Sequence, residues 1–83
     1  MTTEEIIKKF KVKFPTNTVS LIVDYDAESY VVCCMENGLS EDYNNPYYII
    51  DKKNGEISGF SVPHNLTKFM QAADKNTIYK TGR

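Results

Sequence analysis

Eighty-three residues, 41% hydrophobic and 25% charged, can bury one core and little more, since a domain of this size hides only about 60 to 65% of its unfolded surface. The composition excludes a disordered chain, and nothing in it approaches the roughly 20 consecutive apolar residues of a membrane helix. Ten basic and eleven acidic residues nearly cancel to a net charge of −1, so no overall positive field marks a nucleic-acid binder.

"MTTEEIIKKFKVKF" has the period of an amphipathic helix. Thr2 caps it with Glu5 three residues on, and Ile6, Ile7, Phe10 and Phe14 share one face. Pro15 pushes the residue before it out of the helical region, so the helix is expected over 3–13. "VSLIVDY" and "SYVVCCME" are β-branched and aromatic runs separated by "DAE", which predicts a hairpin with Asp26 and Ala27 at its tip. Both runs carry apolar residues at consecutive positions, so both faces of at least one strand are expected to be covered. Cys33 and Cys34 are neighbours in such a run and must point to opposite faces, as small packed residues rather than a disulfide.

After Asn37-Gly38 the polar stretch "GLSEDYNN" predicts the longest loop. "YYII" and "EISGF" then flank "DKKNG", a hairpin whose Asn54-Gly55 suits positive φ and whose Asp51 is placed to bond turn N–H groups. Ser61, Val62 and Pro63 open a second helix with Val62, Leu66, Phe69, Met70 and Ala73 on its apolar face. The tail offers Ile78 and Tyr79 as a short edge strand or a packed extended end. Together these elements predict a single α+β domain over residues 1–83. It is a mainly antiparallel sheet of about four strands with an N-terminal and a C-terminal helix packed against it, in the order α-β-β-β-β-α.

No segment carries a recognisable reaction. His64 is the one histidine and stands in a first helical turn with no orienting carboxylate in sequence reach. The nearest charge to the cysteines is an acid, the wrong sign for a lowered thiol pKa. Asp24, Asp26 and Glu28 alternate like calcium ligands but lack the glycine and distal glutamate of a calcium loop. There is no phosphate-cradling glycine loop, no paired-cysteine zinc spacing and no Gly-x-Ser-x-Gly. The expectation is a protein that is not an enzyme and needs no cofactor or metal.

From Asp24 to Asp42 the chain carries six acids and no lysine or arginine, with Tyr25, Tyr30, Tyr43, Tyr47 and Tyr48 in or beside the run. Tyrosine supplies area and one hydrogen bond at protein interfaces, so an acidic, tyrosine-bearing surface is the most partner-like feature of the chain. Asp24, Tyr25, Asp26, Glu28, Glu41, Asp42, Tyr43 and Tyr47 are the expected contact residues. Because Tyr47 and Tyr48 point to opposite faces, one can be core while the other is displayed, although both also fit as ordinary strand aromatics.

Residues 45 to 61, "NPYYIIDKKNGEISGFS", resemble a pattern of small bacterial immunity proteins of polymorphic toxin systems. There, a helix and two strands lead to a Pro-aromatic or aliphatic strand, an Asp-Lys-x-x-Gly turn and a Gly-x-Ser ending before a helix. The hairpin is also similar to the "VDxxTGEV" turn of peptidase-propeptide-type domains, on Ile50, Asp51, Asn54, Gly55, Glu56 and Ile57. The resemblance implies a non-enzymatic inhibitor that binds one protein, a toxin or a host defence enzyme, through a charged surface, and it carries over no catalytic residue. The "GLSEDYNN" loop belongs to neither pattern, and a phage or prophage protein acting against a host enzyme would share these features.

The sequence therefore predicts a cytoplasmic protein-binding inhibitor with no membrane or nucleic-acid partner. The alternative is a homo-oligomer holding a nucleotide or other small anion between subunits, with Lys8, Lys11, Lys52, Lys53 and Arg83 as anion contacts.

Overall fold

The computed structural model describes residues 1–36 and 47–81. Helix α1 (Thr3–Lys13) begins at the expected capping box: Thr2 Oγ1 accepts from the Glu5 N–H, and the Glu5 carboxylate accepts from the Thr2 N–H at 2.7 Å. Strands β1 (Asn17–Asp24), β2 (Ser29–Glu36), β3 (Tyr47–Asp51) and β4 (Ile57–Gly59) follow. A 3-10 turn (Pro63–Asn65) then leads into α2 (Leu66–Asn76) and β5 (Thr77–Lys80). The five strands form one sheet in the order β4-β3-β2-β1-β5, with every pairing antiparallel. The tail is thus a fifth, edge strand beside β1. Neither helix is long and apolar enough to cross a membrane.

The helices lie on opposite faces. Ile6 and Phe10 of α1 pack with Val19, Ile22, Val32, Cys34 and Ile50 on one face. Phe69 and Ala72 of α2 pack with Val23, Tyr25 and Val31 on the other. This is why β1 and β2 read as unbroken apolar runs: alternate residues feed two cores. A bulge at Ser20 sets the faces of β1, because Val19 pairs with Cys34 but Leu21 pairs with Cys33. The extra residue moves Val19 onto the face of Ile22 instead of that of Leu21 and Val23.

Two expectations fail on α2. Ser61 makes no side-chain cap; its carbonyl accepts from the Asn65 side chain at 2.9 Å instead. Leu66 and Met70 are 50% and 59% exposed rather than buried. At 100° per residue the buried stripe of Phe69, Ala72 and Ala73 is rotated by roughly 50° from the expected one. Small Ala72 lets the helix settle close over β1, and the long side chains end up on its flank.

Candidate interaction surface at the turn end of the sheet

Two turns meet at one end of the sheet because β2 begins where β3 ends: Ser29 pairs with Asp51, and the Lys52 N–H donates to the Glu28 carbonyl at 2.8 Å. In the β1–β2 turn, the Tyr25 and Asp26 N–H groups both donate to the Ser29 carbonyl at 3.2 Å. Asp26 Oδ1 accepts from the Glu28 N–H at 2.9 Å and from Ser29 Oγ at 2.8 Å, which closes the loop through a side chain. In the β3–β4 turn, Asp51 Oδ1 accepts from the Lys53 and Asn54 N–H groups at 2.7 and 2.9 Å, as the sequence suggests. Asn54 Oδ1 accepts from the Glu56 N–H at 2.8 Å, and Gly55 closes the turn at φ 72°. That conformation costs any residue with a Cβ about 1 to 2 kcal/mol.

Between the turns lies a shallow groove of about 370 Å³, lined by Asp26, Glu28, Asp51 and Glu56 together with Ser29, Ile49, Asn54 and Ser58. Its charged lining is entirely acidic. Backbone donation from Asn54 and Lys53 holds the Asp51 carboxyl below its ordinary range. Burial pushes Asp26 up, but bonds from Ser29, Glu28 and Lys68 outweigh it and leave its carboxyl lowered as well. Such groups stay ionised at neutral pH, so they suit acceptance of hydrogen bonds from basic side chains and not general acid catalysis.

The structure distributes the expected contact residues unevenly. Asp24, Tyr25, Asp26 and Glu28 come together at this end. Two of these acids are partnered from distant sequence: Asp24 by Lys52 at 2.7 Å and Asp26 by Lys68 at 3.3 Å. The same lysines lie over the rings of Tyr30 and Tyr25, at 4.8 and 4.7 Å from the centroids. Tyr25 is a core residue, edge-on to Phe60. Tyr47 sits at the other end of β3, opposite Cys33 and edge-on to Phe69. Tyr48, on the other face, packs on Phe10 and Phe14, and both tyrosines are half-buried.

Glu41, Asp42 and Tyr43, with the whole expected loop after Asn37-Gly38, lie outside the described residues. The positions that flank that segment, Glu36 and Tyr47, are at the far end of β2 and β3, and the eight-residue β2 spans roughly 25 Å. Asp51 and Glu56 are the acids that the run from 24 to 42 does not include. Only the Ser29–Asp51 register carries them to Asp26 and Glu28, and no short-range signal encodes that register.

Other candidate chemistry is dispersed. Cys33 and Cys34 are buried free thiols on opposite faces; burial raises both, Cys34 to about 11. His64 is exposed in the 3-10 turn. Among the described residues no three His, Cys, Asp or Glu side chains gather as metal ligands. Lys8, Lys11 and the Lys52–Lys53 pair line three different grooves, and Arg83 lies outside the described residues. No protein-family model matches the chain, and no curated protein or solved structure matches it.

Proposed function

We propose that this chain is a non-enzymatic protein-binding domain that acts as an inhibitor, with the acidic groove between the two turns receiving a basic patch of its target. One observation carries the reading: Asp26, Glu28, Asp51 and Glu56 converge on one groove whose lining holds no cation among the described residues, Lys68 pairing with Asp26 from outside it. Asp26 and Asp51 are fixed by turn hydrogen bonds, so little side-chain entropy remains to be lost on binding. Acids of one sign on a rigid rim steer an oppositely charged partner and select its orientation. A toxin or host enzyme with a basic active site fits this surface, in keeping with the immunity-type and counter-defence expectations.

Native mass spectrometry of the protein purified from its own host cells tests this directly. The expected species is one chain carrying a second polypeptide. Glu28→Gln with Glu56→Gln, two exposed carboxylates that hold no turn together, should weaken that complex by about tenfold or more without lowering Tm. A symmetric oligomer carrying a few hundred daltons of extra mass per site would replace this reading by the small-anion binder.

A further inference from the structure

The acidic groove borders one side of β4, and the other side of that strand is basic. Ser58 pairs with Ile49 on the face that holds the carboxylates, whereas Ile57 pairs with Ile50 on the α1 face. There Ile57 and the 80% exposed Val12 share a groove of about 550 Å³ with Lys8, Lys9 and Lys13. The one acid in that groove among the described residues, Glu5, is already bonded to the Thr2 N–H.

Between the two grooves runs an open backbone edge. The Asp51 N–H donates to the Glu56 carbonyl and the Phe60 N–H to the Tyr47 carbonyl, both at 3.0 Å. Residues 56 and 60 therefore turn their backbone toward β3, as 58 must between them, and antiparallel alternation turns Ile57 and Gly59 outward. Their N–H and C=O groups have no protein partner among the described residues, and a Cβ built on Gly59 would meet nothing within 4 Å. The strand, "ISG", carries no proline or charge of the kind that guards an edge.

We infer that β4 takes up an extended segment of the target protein as a sixth strand, and that this segment alternates acidic with basic side chains. Main-chain bonds to Ile57 and Gly59 supply the pairing. Successive side chains of the added strand point to opposite faces, so its acids face Lys8, Lys9 and Lys13 while its bases face the acidic groove, with Glu56 nearest and Glu28 on its far side. A strand of one sign would satisfy one groove and be repelled by the other. This inference rests on the acidic groove being a contact surface, and it adds the partner's conformation and charge pattern.

The probe is a capped peptide of about ten residues in which glutamate and lysine alternate, compared with one of the same composition in Glu-Glu-Lys-Lys order, which puts both signs on each face. With the alternating peptide, hydrogen exchange at the Ile57 and Gly59 amides should slow by about tenfold or more, and the reordered peptide should bind about tenfold more weakly. Gly59→Pro removes the outward N–H and should abolish binding. If that variant fails to fold, N-methylation of alternate peptide amides makes the same cut in the ligand. Equal binding of the two peptides, unprotected Ile57 and Gly59 amides at saturating peptide, or displacement by oligothymidylate from the lysine groove would each overturn the inference. If the peptide fails while Glu28→Gln/Glu56→Gln still breaks the native complex, strand addition alone falls. If that variant leaves the complex intact, the acidic contact surface falls with it.

Discussion

The two faces of the sheet are closed by helices of equal length in different ways. On the α1 face, Ile6, Phe10, Ile22, Val32 and Ile50 are fully buried beneath a helix that starts at a complete capping box. On the α2 face, Phe69 and Ala72 do the burying under a helix with no side-chain cap, and Leu66 and Met70 stand half in water. Large side chains and a local start signal make α1 a self-consistent element; α2 is held by where it lands. The chain's stability is thus expected to be lopsided even though its sheet is continuous.

Phe10→Ala should show this most strongly. It empties the centre of the α1 face, where Phe14 stacks on that ring and Tyr48 meets it edge-on, and should cost about 3 to 5 kcal/mol in urea unfolding, more than Phe69→Ala on the α2 face, whose ring keeps 7% exposure. Equal losses would erase the asymmetry.

Acid and alkali reach the fold through different groups. Asp26 and Asp51 border the α2 face and are lowered from 3.8, so their contribution is complete above that value and is lost as pH falls through their folded values. Asp51→Asn should flatten the acid limb of Tm against pH. Burial raises Cys34, on the α1 face, from 9.0 to about 11; its contribution is complete below pH 9.0 and disappears as pH rises through 11. Cys34→Ala should flatten the alkaline limb and leave the acid one unchanged.

The smallest expected effect is the most discriminating for α2. Leu66→Gln and Met70→Gln should each change stability by no more than about 0.5 kcal/mol, as exposed substitutions do. A loss of about 2 kcal/mol or more would mean that the apolar stripe read from the sequence is the buried one.

Much of the local structure was legible. The Thr2–Glu5 box, the end of α1 before Pro15, the Asp51-capped "DKKNG" turn and the opposed, buried cysteines were each set by residues within a few positions of one another. Of the candidate surface, the acids of the β1–β2 turn were visible as a run, but their neighbours and counter-ions were not. Lys52 and Lys68 reach Asp24 and Asp26 across 28 and 42 residues, and Asp51 and Glu56 join through strand register. An acidic run counted along the chain says nothing about which acids share a face, because strand register decides that.

What the sequence determined alone was where α1 and the two hairpin turns begin and end, because caps, prolines and glycines act through bonds and dihedrals that span a single turn. Tertiary structure decided which face each helix covers, the bulge at Ser20, the roll of α2 over Ala72, and the meeting of a basic and an acidic groove at β4. Apolar runs that serve two faces favour neither, so the choice is made only when side chains from distant segments compete for the same volume.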